Sequence, residues 1–191
     1  MFTGIIEAVG TVEYLKNDNL KIKTENSNFF NLKSGTSIAI DGCCLTLKNY
    51  EKELLCFQVS DETLSRTSLN DSHCGYVNME LPLTMNSLLS GHLVQGHVDG
   101  VINLKTIEKL DSELWNFSFT NASHKYLVDK GSITINGISL TVVDPVEDNF
   151  TVSIIEETFN RTNLKYLNVD DIVNVEYDIV IKYLEKLNYD N

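Results

Sequence analysis

With 27 acidic against 15 basic residues among 191, a formal charge of −12, the chain repels a phosphate backbone, which argues against nucleic acid as a partner. Apolar residues at 42%, charged residues at 22% and only two prolines describe a soluble globular protein without a disordered linker. No apolar run approaches the roughly 20 residues of a membrane span, and the opening MFTGIIEAVG lacks a basic n-region, so a cytoplasmic protein with no membrane partner is expected. Cys43, Cys44, Cys56 and Cys74 form no CxxC pair, so reduced thiols are expected.

In chain order, Phe2-Thr3-Gly4-Ile5-Ile6 reads as a Gly-containing strand and Asn31 to Ser34 as a short helix. The runs Ile38 to Ile40 and Leu45 to Leu47 flank Asp41-Gly42, a hairpin signal because a type I′ turn needs positive φ at both central residues. Leu55 to Val59 and Val77 to Leu81 follow as β-rich runs. Then the pattern returns. Ser37 to Leu47 (SIAIDGCCLTL) reappears as Ser132 to Val142 (SITINGISLTV), and Asp61 to Leu69 (DETLSRTSL) as Glu156 to Leu164 (EETFNRTNL), both displaced by 95 positions. Val94 to Val98 matches Phe2 to Ile6, Ser123 to Lys130 matches the first candidate helix, and Val173-Asn174-Val175-Glu176 matches Val77-Asn78-Met79-Glu80. A whole folding unit is therefore duplicated, with Asn136-Gly137 as the second hairpin turn and Ile133 to Ile135, Leu140 to Val143, Phe150 to Ile155 and Val173 to Tyr177 as its strands. Short strands without crossover helices predict an all-β fold of closed antiparallel barrels. The expected units are residues 1–88, 89–178 and a tail, 179–191. In the tail, Ile179, Tyr183, Lys186 and Leu187 share a helical face that serves either as an oligomer contact or as packing on the helix's own barrel.

Two copies of one pocket suit two copies of one small molecule, and the mismatches between copies carry the candidate chemistry. His92 and His97 are five apart, which suits neither one helix face nor one strand face and argues against a shared metal; His73 and His124 lie in polar, loop-like sequence. His97 stands where the other copy has Ile5, so it is either a proton-transfer group or a structural histidine. Cys44 aligns with Ser139, each followed by Leu-Thr. The pair reads as a nucleophile and a hydrogen-bonding group at equivalent points, or as small buried side chains, with no neighbouring residue in sequence to activate the thiol. As adjacent strand residues, Cys43 and Cys44 should not both face one pocket. Glu62-Thr63 and Glu157-Thr158 recur with Arg66-Thr67 and Arg161-Thr162; the threonines are expected to meet ligand and the arginines to brace the loop. Gly4, Gly91, Gly96 and Gly100 precede no helix and so form no phosphate loop; they let backbone approach a flat ligand or a neighbouring strand.

MFTGIIE, DGCCLT, ETL-x-RT-x-L, GHLVQGH and NGISLTV followed by EETFNRTNL together resemble the riboflavin synthase family, over essentially the whole chain. The resemblance implies two tandem six-stranded antiparallel Greek-key barrels, a C-terminal helix and a homotrimer. It also implies a transferase that dismutates two molecules of 6,7-dimethyl-8-ribityllumazine into riboflavin and 5-amino-6-ribitylaminouracil by moving a four-carbon unit. No redox cofactor and no metal is implied. Carried over by motif, one lumazine pocket includes Gly4, Ile5, Ile6, Cys44, Leu45, Thr46 and the strand end Gln58, Val59, Ser60, Asp61, Glu62 and Thr63. The other includes Lys130, Ser139, Leu140, Thr141 and the strand end Ser153, Ile154, Ile155, Glu156, Glu157 and Thr158, with His97, Val98 and Asp99 reaching across an interface. His97 is the candidate proton-transfer group, and Cys44 and Ser139 the candidate nucleophile and hydrogen-bonding partner. Asn136, often aspartate in relatives, cannot serve as a base. A lumazine protein, which holds the ligand without converting it, is the alternative; an oxidoreductase flavin barrel lacks its second domain here.

Overall fold

The computed structural model describes residues 1–51, 54–71, 75–111 and 113–189; the expectations for His73 and Cys74 fall outside them. In the first half, β1 (Ala8–Lys16) and β2 (Asn19–Lys23) are joined by Asn17 and Asp18, both at positive φ. There follow β3 (Ser37–Ile40), β4 (Cys43–Glu51), β5 (Leu54–Gln58), the short helix α1 (Asp61–Arg66) and β6 (Tyr76–Glu80). The order β1-β2-β5-β4-β3-β6 closes on itself as a barrel. Alternation along the strands sends Leu20, Ile22, Ile38, Ile40, Phe57 and Met79 into one core, as period-two patterning requires.

The second half repeats the plan with β7 (Gly100–Lys109), β8 (Leu114–Thr120), β9 (Ser132–Ile135), β10 (Ile138–Thr141), β11 (Val143–Val146), β12 (Asn149–Ile155), α2 (Glu156–Arg161) and β13 (Ile172–Tyr177). Its order, β10-β9-β13-β7-β8-β12-β11, is the first ring with β4 replaced by β10 and β11. The expected single strand is interrupted at Val142. This residue gives its N–H to Gly131 and receives the N–H of Lys130, both at 2.9 Å. Leu47 makes the matching pair of bonds in β4, to Thr36 and from Gly35, both at 2.8 Å. Around the second core pack Leu104, Phe117, Phe119, Ile135, Phe150 and Val173.

Both hairpin turns take the expected geometry, Asp41-Gly42 at φ 44° and 76° and Asn136-Gly137 at 43° and 79°. Two expectations need correction. The opening runs Phe2 to Ile6 and Val94 to Val98 are not strands: Gly4 and Gly96 at φ 77° and 80° break the extended backbone, leaving a single bridge in which Phe2 pairs with Val94. Asn31 to Ser34 is not helical; a 3-10 turn lies at Ser27–Phe29, ended as Asn31 turns to φ 59°, and Ser123 to Lys130 holds only the turn His124–Tyr126. The tail is the helix α3 (Ile179–Tyr189), and on the expected face Tyr183 and Leu187 are exposed. Lys182 pairs with Asp99 at 2.6 Å and Glu185 with Lys125 at 3.2 Å against the barrel, while Val180, Tyr183 and Leu184 turn outward.

The barrels meet through a buried polar seam. Asp41 Oδ1 accepts from the Asn78 N–H (2.7 Å) and from Asn163 Nδ2 (3.0 Å), and Asn78 Nδ2 donates to the Asn136 carbonyl (2.9 Å) and to Asn163 Oδ1 (2.8 Å). In the mirrored half of the seam, Asn174 donates to Asn136 Oδ1 and to the Asp41 carbonyl, both at 2.8 Å. A satisfied buried network of this kind selects one docking geometry, since any other would orphan its members.

Candidate sites at the barrel crossing

Each barrel carries one open site where its fourth strand meets its short helix. At the first, Ser60 caps α1 by accepting the Thr63 N–H at 3.2 Å, and Glu62 pairs with Arg66 one turn on. Cys43, Cys44, Glu62, Thr63, Arg66 and Thr67 form one wall of a cavity of about 180 Å³. At the second, Glu157 pairs with Arg161 at 3.0 Å, and Ile138, Ser139, Glu157, Thr158, Arg161 and Thr162 wall a cavity of about 170 Å³. The acidic first turns and basic last turns of both helices match the helix dipole.

The remaining wall comes from the other barrel's opening segment. Gly96, His97 and Val98 complete the Cys44 site, whereas Gly4, Ile5 and Ile6 complete the Ser139 site. The Cys44 N–H donates to the Gly96 carbonyl and the Ser139 N–H to the Gly4 carbonyl, each at 2.8 Å. Only glycine permits this: a Cβ on Gly96 would lie 2.6 Å from Cys44 Cβ, and one on Gly4 2.6 Å from Ser139 Cβ. The grouping expected from the motifs is therefore crossed. Gly4, Ile5 and Ile6 belong with Ser139 and Thr158, and His97 and Val98 with Cys44 and Thr63.

Several anticipated residues sit elsewhere. Leu45, Val59 and Ile154 are core side chains. The expected strand ends bend into helix instead, so that Asp61, Glu62 and Thr63, like Glu156, Glu157 and Thr158, lie in helical first turns. Asp99 is taken up by the Tyr177 N–H and Lys182, and Lys130 is absent from the cavity wall. Both Cys43 and Cys44 contribute to the first site, although strand alternation assigns only one; Cys43 does so from the core, where burial pushes its thiol up to about 12.

His92 is the residue that sequence reasoning missed. Half-buried, it places Nδ1 2.7 Å from Ser139 Oγ and Nε2 3.1 Å from Thr134 Oγ1. In the neutral ring one nitrogen accepts and the other donates, so the imidazole can take the Ser139 proton while it gives its own N–H to Thr134. Burial holds its pKa below the ordinary histidine value, opposed by the carboxylate of Asp178. The two histidines of GHLVQGH thus serve different sites. Among the described residues no side-chain hydrogen bond reaches the Cys44 thiol.

Residues 3–82 and 95–178 each match the lumazine binding domain. The chain is 39% identical to a riboflavin synthase of Actinobacillus pleuropneumoniae over 97% of its own length and 89% of the relative's. It is 38% identical to the riboflavin synthase of Bacillus subtilis (strain 168), covering 96% and 88%, and 40% identical to that of Chlamydia muridarum, covering 95% and 92%. Among solved structures it superposes on LumP complexed with riboflavin at a TM-score of 0.84 and 23% identity, over 93% of this chain and 100% of that one. LumP complexed with 6,7-dimethyl-8-(1'-D-ribityl) lumazine gives 0.80 at 23% identity, over 92% and 98%. At that identity the likeness to LumP is one of fold.

Proposed function

The chain belongs to the riboflavin synthase family, and from that premise we propose that it dismutates two molecules of 6,7-dimethyl-8-ribityllumazine. One molecule gives up a four-carbon unit and leaves as 5-amino-6-ribitylaminouracil; the other accepts the unit and becomes riboflavin. The observation that carries the reading is the pair of matched sites with unlike reactive groups, Cys44 with His97 and Ser139 with His92. Identical substrates that play unlike roles need pockets alike in shape and different in chemistry.

Loss of a proton from the C7 methyl of one lumazine gives an extended carbanion; a nucleophile adds at C7 of the other, and the C6=N5 imine that this leaves accepts the carbanion. Ser139, hydrogen-bonded to His92, supplies a hydroxyl whose proton has somewhere to go; His97 stands exposed on the wall of the Cys44 site. Thr63 and Thr158 offer hydroxyls to the ribityl chains from equivalent helical turns. Holding two rings face to face can itself supply roughly 7–11 kcal/mol of the barrier, so most of the catalysis is assigned to positioning.

The two sites of one chain share no lining residue. This supports an assembly in which the Cys44 site of one chain faces the Ser139 site of its neighbour. The outward Val180, Tyr183 and Leu184 of α3 offer an apolar contact for it, and the assembly proposed is a cytoplasmic homotrimer, as the family resemblance implies. Purified protein given 6,7-dimethyl-8-ribityllumazine alone is expected to form riboflavin, seen by its absorbance and fluorescence. Tight binding without conversion would instead make the chain a lumazine-holding protein.

A further inference from the structure

The strands that end each repeat, β6 and β13, finish on a buried glutamate, Glu80 (4% exposed) and Glu176 (3% exposed). A buried carboxylate needs partners for both oxygens. Each finds them in an opening segment. Glu80 Oε1 accepts the Thr3 N–H at 2.7 Å and the Thr3 hydroxyl at 2.9 Å, and Oε2 accepts the Gly4 N–H at 3.0 Å. Glu176 Oε1 accepts the Gln95 N–H at 2.7 Å, and Oε2 accepts the N–H groups of Gly96 and His97, both at 2.9 Å. Successive N–H groups curled round an anion form a nest, and here the anion is the protein's own carboxylate.

The residues held in these nests are those that cross to the opposite barrel. Gly4 bonds to Ser139 and precedes Ile5 and Ile6 in the Ser139 site; Gly96 bonds to Cys44 and precedes His97 and Val98 in the Cys44 site. We propose that Glu80 and Glu176 are crossed positioning residues. Glu80, on the first barrel, sets the substrate site of the second, and Glu176, on the second barrel, sets the substrate site of the first. Neither touches substrate; each acts through the loop it grips. The assignment rests on the two sites being the lumazine sites proposed above.

Strand register makes the crossing testable. Ala39 of β3 pairs with Glu80 on one side and Cys44 on the other, and Thr134 of β9 likewise lies between Glu176 and Ser139. A disturbance that spread only through the sheet would therefore strike the site of the glutamate's own barrel.

The test titrates riboflavin into protein labelled with ¹³C at its threonine methyls, reading Thr63 for the Cys44 site and Thr158 for the Ser139 site. Glutamine preserves shape but turns an amide N–H₂ toward the nest's donors. Glu80→Gln should raise the riboflavin midpoint read at Thr158 by roughly tenfold and leave that at Thr63 within about twofold, in keeping with the loss of charge-assisted hydrogen bonds. Glu176→Gln should do the reverse. Thr3→Val, which removes only the hydroxyl bond to Glu80, should give a smaller shift at Thr158 alone and keeps the first arm decidable if a glutamine variant fails to fold. Damage confined to the glutamate's own barrel, shared equally by both sites, or absent from both would overturn the assignment. Riboflavin that moves neither threonine of the unsubstituted protein would refute the lumazine sites themselves, and the crossed role with them.

Discussion

The Cys44 site and the Ser139 site are built alike from backbone and differently from side chains. In both, a strand-to-helix corner, capped by a side chain only at Ser60, faces a glycine loop from the other barrel, and the two carbonyl bonds that fasten the loops have the same length, 2.8 Å. The divergence is confined to a few positions. A thiol stands where the other site has a hydroxyl, an exposed histidine where the other has Ile5, and His92 has joined the Ser139 site alone. Duplication thus supplies the geometry twice, and single replacements divide the labour. The site in which a general base already touches a hydroxyl is the one whose chemistry should be most sensitive to substitution.

The largest effect is accordingly expected at Ser139 and His92. Ser139→Ala and His92→Gln should each lower kcat by about 100-fold or more, the scale of losing acid–base assistance, measured as the initial rate of riboflavin formation at saturating lumazine. The pH profile separates a proton-accepting role from a structural one. His92 must be neutral to accept the Ser139 proton, and burial holds its pKa below 6.5. The rate should therefore fall on the acid side of that value as the ring gains a proton, and His92→Gln should lack this limb. Retention of near-full turnover by Ser139→Ala would break the contrast between the sites.

A second difference between the halves lies in the seam, where Asp41 and Asn136 occupy the same turn position at nearly the same φ. Burial pushes the Asp41 carboxyl up to about 8, against the pull of the Asn78 N–H and the Asn163 amide. The unfolded chain releases this proton near pH 4, while the folded chain keeps it until about pH 8. Across that window the unfolded state binds fewer protons, so stability falls as pH rises. Asp41→Asn copies what the second half already does and retains the Oδ1 acceptor. It should stabilise the protein by about 1–3 kcal/mol at pH 7.5 and leave stability at pH 4 nearly unchanged, as measured by urea unfolding at the two values. A gain independent of pH would show that the seam does not feel the Asp41 charge.

The parts of this arrangement visible in the sequence are those dictated locally. Asp41-Gly42 and Asn136-Gly137 announced their turns because few other pairs accept positive φ twice, and the 95-residue displacement exposed both copies of the Cys/Ser-Leu-Thr strand. The strand pairs β1–β2 and β7–β8 are only half legible: β2 and β8 alternate apolar with polar residues and Asn17-Asp18 is a usable turn signal, but β1 and β7 each carry a register shift, near Val12 and near Leu104, that breaks the period of two. Helices α1 and α2 have six residues each, too few for helical periodicity to emerge. The crossing of the opening segments had no local signature at all. His92 meets a serine 47 positions away, and Gly4 and Gly96 looked alike from their own halves.

The smallest effect should fall on Cys44, where the contrast is most exposed to refutation. A cysteine opposite a catalytic-looking serine invites the role of nucleophile, yet among the described residues nothing accepts its proton, and its neighbour Cys43 is held as a thiol by burial. Cys44→Ala should reduce kcat by less than about tenfold, below the scale of lost acid–base catalysis, because the loop contact to Gly96 runs through the Cys44 backbone N–H, which alanine keeps. Iodoacetamide at pH 8 should label Cys44, and riboflavin should slow that labelling. Cys43, with its thiol near 12, should stay unmodified because the thiolate is the nucleophile. If Cys44→Ala instead cost as much as Ser139→Ala, both sites would carry essential chemistry, and the division of labour would have to be sought in the substrates rather than in the barrels.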